Sequence, residues 1–204
     1  MSLQDDVVTL LRSREAQRIN FRFGPVPVYG AGYATIASAI GNGRIMLAGM
    51  ESRIQGALLC EYRESEGENH VNRLLVDVDL DFSAPFEAQL VIHEATHALM
   101  DYQATPLNLL DSEAAAYIAG TFYCFLKGVS FADVMRSFNG LSPSQRDDEM
   151  ITVYSLAYGI AQSIATTRGG YAVAPANVDG LKQTIGRTRL YRRRASETVA
   201  YDGI

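Results

Sequence analysis

Hydrophobic spacing changes character along this chain, and each change marks an element. From Asp5 to Gln17 the apolar residues Val7, Val8, Leu10, Leu11 and Ala16 recur at helical intervals, which predicts a short amphipathic helix lying on the body. Gly24, Pro25 and Pro27 break it. Gly30-x-Gly32 follows; without the third glycine of a dinucleotide loop, and with Thr35 in its neighbourhood, it reads as a turn or a close packing point. Asn42-Gly43 is a turn signal between Ile36–Ile40 and Ile45–Met50, so a hairpin is expected there. Ile54–Arg63 reads as a further strand, closed by a polar loop ending at His70. Arg73–Phe82 alternates most clearly, with Leu74, Val76, Val78, Leu80 and Phe82 on one face and Asp77, Asp79 and Asp81 on the other. Together these predict a small, largely antiparallel sheet in the first half.

From residue 83 the period becomes helical. Ser83 and Pro85 punctuate the start of FEAQLVIHEATHALMD, Phe86 to Asp101. After Thr105-Pro106, Asn108 or Asp111 is placed to cap a second helix that runs to about Lys127 and stops at Gly128. Ser130-x-x-Asp133 and Ser144-x-x-Asp147 are capping-box patterns for helices over 131–138 and 147–167, the latter ended by Gly169-Gly170. The expected fold class is α+β in a single domain: a sheet-rich part over 1–82, a helical part over 83–168 and a basic segment over 169–204.

Composition narrows the function classes. The 204 residues are enough for one well-buried core, and 48% hydrophobic with 20% charged residues excludes wholesale disorder. A net charge of −5 argues against a general nucleic-acid binder, and the basic run from Lys182 to Arg194 reads as a solvated helix or tail. Cys60 and Cys124 have no C-x-x-C spacing and are expected as buried free thiols. The acidic start of the chain lacks the h-region of a signal peptide, and the apolar run Ala114–Leu126 is too short to span a bilayer. The expected location is therefore the cytoplasm, with no membrane partner; oligomeric state is not legible. Asp77-x-Asp79-x-Asp81 is not a calcium loop, because Phe82 and Ala88 stand where the loop needs Gly and Glu.

The chemistry concentrates in His93, Glu94 and His97. Two histidines four apart project from one helical face and can bind one metal ion, while Glu94, one position round, stands beside it as a general base. With only three histidines in the chain, chance would produce this H-E-x-x-H spacing on the order of a few times in a thousand such sequences. Glu113, at the head of a nearly all-apolar helix, is a costly carboxylate unless a cation partners it. It is read as a third ligand or as an acid favoured in a first helical turn, with Asp111 as the other candidate ligand.

Over Leu74–Leu126 the chain resembles the gluzincin class of zincin-like metallopeptidases, in HEATH on one helix and the E-A-A-A of Glu113–Ala116 on the next. The resemblance implies a zincin-like fold, with a small mostly antiparallel sheet packed on an active-site helix and a mainly helical C-terminal half. It implies one Zn2+ held by His93, His97 and Glu113, with Glu94 activating water to cleave a peptide or protein substrate. It also implies that the strand before the helix lines the cleft and pairs with an extended peptide. The oxyanion stabiliser such an enzyme needs is sought among Tyr154, Tyr158 and His70. Tyr117 stands where many gluzincins carry an Asp that orients a ligating His, so that support is expected from Asp111 or a backbone carbonyl. The Asp77, Asp79 and Asp81 stripe is read as a solvated strand face or, alternatively, as one wall of the cleft that favours basic peptides. The alternatives are a hydrolase dedicated to a non-peptide or single-partner substrate, and a catalytically silent scaffold.

Overall fold

Helix α3 (Pro85–Tyr102) carries His93 and His97 and is wrapped on most sides, by helices on one flank and by strands on the other. The computed structural model describes residues 2–24, 26–50, 60–64, 72–104, 106–139, 148–167, 171–199, 201 and 203. Pro85 opens α3 at a position where its missing N–H costs nothing, whereas Ser83 turns away to bond Asp81. Val91, Ile92, Leu99 and Met100 are fully buried, each burial contributing about 1.5–3 kcal/mol. Ala88, Ala95 and Ala98 on the same helix let its neighbours come close.

The first half departs from the expected hairpin. Helix α1 (Leu3–Leu11) starts at a Ser2/Asp5 capping box, and β1 (Asn20–Phe23) pairs antiparallel with β2 (Val26–Tyr29). The segment expected as a strand before Asn42-Gly43 is instead helix α2 (Gly30–Gly41). Its apolar residues obey the helical period: Tyr33, Ile36, Ala37 and Ile40 are buried on one side. Gly30 and Gly32 are close packing points; a Cβ at Gly30 would lie 2.1 Å from the Gln17 carbonyl oxygen, and one at Gly32 2.6 Å from Leu99.

The main sheet is mixed rather than largely antiparallel. Strand β5 (Asn72–Asp77) lies in the centre, parallel to β3 (Ile45–Met50) and antiparallel to β4 (Cys60–Arg63). Residues 54–59 of the expected strand, and the loop with His70, lie outside the described residues. β5 ends at Asp77, five residues before the alternation does, because Asp77 accepts the Asp79 N–H and folds the chain into a turn. Leu74 and Val76 are buried as expected, but Val78 is 54% exposed and Asp77 is buried. The acidic stripe therefore does not exist as one face.

In the second half α4 (Leu109–Leu126) packs along α3, and α6 (Asp148–Thr166) and α7 (Pro175–Arg187) pack on α4. The Asn108 side chain caps α4 by accepting the Leu110 N–H. Ser130 and Asp133 form the expected capping box on α5 (Phe131–Asn139), while Ser144 and Asp147 lie outside the described residues. Past α7 the chain returns to α3. Its strand β7 (Thr198–Val199) pairs with β6 (Leu107–Asn108), and the Gly203 N–H reaches the Asp101 carboxylate at the end of α3. The architecture is α+β with small mixed sheets. Among the described residues no helix is long and apolar enough to cross a membrane.

Candidate metal centre

One turn of α3 sets His93 above His97, and the second turn of α4 brings Glu113, past the first-turn position expected of a capping acid, against both. The Nε2 atoms of the two imidazoles are 3.3 Å apart. Glu113 Oε2 lies 3.3 Å from His93 Nε2, and Oε1 lies 3.7 Å from His97 Nε2. Ligand atoms about 2.0–2.2 Å from one tetrahedral ion stand about 3.3–3.6 Å from each other, so this group is spaced to hold a metal ion. All three residues are buried, and their ligand atoms lie within 4.8 Å of one another. The chemistry of the donors agrees: two imidazole nitrogens and a carboxylate are ordinary ligands of a divalent ion.

The electrostatics point the same way. Burial alone would raise the Glu113 carboxyl, but the two histidines outweigh it and hold Glu113 far below the usual carboxylate range. Burial would depress His97, yet the Glu113 carboxylate raises it above its ordinary value. The cluster is thus a negative carboxylate that favours positive charge on the His97 imidazole, which a divalent ion can supply instead. Glu94 is not part of the group; its Oε1 is 3.9 Å from His93 Nε2 and its Oε2 accepts the Tyr62 N–H at 2.8 Å. Burial pushes the Glu94 carboxyl up, against the pull of His93 and His97.

Around the ligands stands a shell of hydroxyls that sequence reasoning missed. Tyr191 donates to Glu113 Oε2 at 2.8 Å, and the Tyr201 and Ser112 hydroxyls lie 3.1 and 2.8 Å from His97 Nδ1. Burial and nearby carboxylates keep Tyr191 protonated, as burial does Tyr201. Ser112 precedes Glu113 directly and was findable from helical position. Tyr191 and Tyr201 come from the C-terminal segment and carry no local signal. At His93 the Tyr117 ring packs edge-on, with centroids 4.6 Å apart, where a carboxylate was expected. Asp111 takes no part; it pairs with Lys182 Nζ at 2.5 Å. The basic run spans the end of α7 and the residues after it, with Arg187, Arg189, Arg192, Arg193 and Arg194 exposed as a solvated helix requires, while Leu190 and Tyr191 between them line the cleft.

The centre opens on a cleft of about 950 Å³, bounded by β4 on one side and the C-terminal segment on the other. Tyr62, Glu94, Leu190, Tyr191 and Tyr201 line it. Its rim charges are largely paired internally, Arg63 with Glu61 and Arg194 with Glu197, both at 2.8 Å. None of Asp77, Asp79 and Asp81 lines the cleft, so they are not placed to select basic peptides. Strand β4 lines the cleft along its length, whereas β5 reaches it only through Arg73 and has β3 and β4 on its two edges, which leaves it no edge for a further strand. Tyr154 and Tyr158 do not reach the centre. Tyr154 stacks behind Tyr117 and its hydroxyl accepts from Gln89, while Tyr158 donates to the Val129 carbonyl. His70 lies outside the described residues. Cys60 and Cys124 are free thiols, Cys124 buried and Cys60 half-buried at the cleft wall.

No protein-family model matches the sequence, and no curated protein or solved structure matches it either. The functional reading therefore has to come from the site's own chemistry.

Proposed function

We propose that this chain is a zinc-dependent hydrolase of the zincin-like, gluzincin type, most simply a peptidase. The observation that carries the reading is the convergence of His93, His97 and Glu113 with Glu94 directly beside them, all facing one open cleft. Two imidazoles and one carboxylate are the donor set of a catalytic rather than a closed structural zinc site. A zinc ion held there would supply Lewis acidity, polarising a carbonyl and making a nearby water acidic.

The chain's own residues would do the rest. Glu94 is aimed by the Tyr62 N–H, which leaves its Oε1 on the cleft side to take the proton of an attacking water. Its raised carboxyl keeps it basic enough to hold that proton and hand it on to the leaving amine. Tyr191 lines the cleft with its hydroxyl proton on Glu113 Oε2, and turning that proton from Glu113 to the oxygen that gains charge would let it serve as the stabiliser in place of Tyr154 and Tyr158. The β4 segment supports a substrate laid in extended form, because it borders the cleft and, among the described residues, pairs with β5 alone.

The test is Glu94→Gln beside the wild type, each loaded with zinc and offered an unbiased peptide library. Turnover by the wild type, lost by about 10²–10⁴-fold in Glu94→Gln with zinc retained, is the expected result. Equal turnover by the two proteins would refute the role of Glu94. A zinc-loaded wild type that cleaves nothing in the library would refute general peptidase action and leave a dedicated substrate.

A further inference from the structure

We infer that the C-terminal segment, residues 191–203, is a working part of the metal centre: it positions His97 and Glu113 for the metal, so docking of this segment and metal affinity are coupled. The inference rests on reading His93, His97 and Glu113 as a metal site. Its argument comes from counting hydrogens around His97.

His97 Nδ1 lies 2.8 Å from Ser112 Oγ and 3.1 Å from the Tyr201 hydroxyl, and those two oxygens are 2.5 Å from each other. Ser112 Oγ also donates to Met100 Sδ at 3.6 Å. Four contacts therefore need hydrogens. If the Ser112 proton points to Met100 and the Tyr201 proton to Ser112, then the two contacts of Nδ1 are satisfied only by a hydrogen on Nδ1, shared between both oxygens. In that arrangement all four contacts are made, and Nε2 is the nitrogen left to bind an ion, facing His93 and Glu113; the two hydroxyls hold the ring in this orientation.

Only half of this device comes from α4. Tyr201 is brought in by the chain's return, and so is Tyr191, which holds the Glu113 oxygen nearest His93. The return is fastened at three points: the two-residue pairing of β7 with β6, the Leu109 N–H on the Glu197 carbonyl, and the Gly203 N–H on Asp101. Asp101 ends the ligand-bearing helix and also accepts from Tyr62 and Asn72, so the same carboxylate ties the segment, α3 and the sheet together. These fastenings are few and short. Whatever free energy the metal gains from Tyr191 and Tyr201 must, by linkage, favour the docked segment by the same amount.

The experiment compares wild type, Ser112→Ala, Tyr201→Phe and the double variant by zinc competition against a chromophoric chelator, with circular dichroism of each metal-free protein. Proteolysis within 188–203 is followed with and without zinc. The double variant is expected to fold and to bind zinc about 10–100-fold more weakly, each single variant losing less because one oxygen still accepts from Nδ1. Zinc should slow cleavage of the segment in the wild type and do so less in Tyr201→Phe, an effect that a purely structural tyrosine would not produce. If the double variant fails to fold, the single variants decide. Variants that bind zinc as tightly as the wild type, or a segment cut equally fast with and without zinc, would overturn the coupling. A wild type that binds no zinc would instead remove the metal reading on which it stands.

Discussion

Replacing Glu113 by Gln tests the centre most directly, because it removes charge and one donor oxygen while keeping the side chain's size and its ability to accept from Tyr191. Structural zinc sites bind with apparent free energies of about 10–16 kcal/mol over four ligands, or roughly 2.5–4 kcal/mol for each. At about 1.4 kcal/mol per tenfold, losing one ligand weakens binding by roughly 10²–10³-fold. The geometry supports the full effect, since the Glu113 oxygens lie 3.3 and 3.7 Å from the two imidazole nitrogens. The assay is chelator competition, with metal content after dialysis as a second readout. The substitution also has a metal-free consequence. The Glu113 carboxylate is what raises His97 against burial, so in Glu113→Gln the imidazole should titrate at lower pH, visible by NMR. A Gln variant that holds zinc as tightly as the wild type would refute the assignment of Glu113 as a ligand.

Two further outcomes follow from the same chemistry and packing. In the metal-free protein His97 has a raised pKa, so its contribution to stability is full below its ordinary value of about 6.5 and is lost as pH rises through the folded value. Glu113 is depressed, so its contribution is present above the ordinary carboxylate value and is lost as pH falls through the folded one. Zinc competes with the proton that Glu113 favours on His97, so binding should release protons, more of them as pH falls, measured by calorimetry in buffers of different ionisation enthalpy; release that does not grow at lower pH would count against the cluster's electrostatics. In the fold, Gly30→Ala would set a methyl 2.1 Å from the Gln17 carbonyl oxygen, a backbone atom that cannot swing aside. The expected cost is about 1–3 kcal/mol, or roughly 2–12 °C in Tm, and an unchanged melt would show that α2 and the preceding turn can separate freely.

Much of this was legible one element at a time. The pattern of α3 and α4, the Asn108 cap and the Ser130/Asp133 box were readable because helical period and capping chemistry act over three or four residues. The stretch before Asn42-Gly43 was misread for a related reason: a strong turn signal drew attention from Tyr33, Ile36, Ala37 and Ile40, whose spacing is helical. The Arg73–Phe82 alternation ran past its strand because period alone does not mark where a carboxylate such as Asp77 will accept a neighbouring N–H and end the ladder. Sheet order was not readable at all, since β3 pairs with β5 rather than with its neighbour in sequence.

The same division runs through the centre. His93, Glu94 and His97 were fixed by sequence, because one helical turn forces the two imidazoles together whatever surrounds them. Glu113 could be suspected from the cost of burying a carboxylate, but only the packing of α4 on α3 brings it against the two imidazoles. Tyr191 and Tyr201 belong wholly to the tertiary structure. They lie 78 and 104 residues from the side chains they touch, and no local period or spacing encodes a contact made by chain return. Local geometry wrote the donor atoms into the sequence; what orients them, closes one wall of the cleft and leaves the other to β4 was settled by which distant surfaces buried each other.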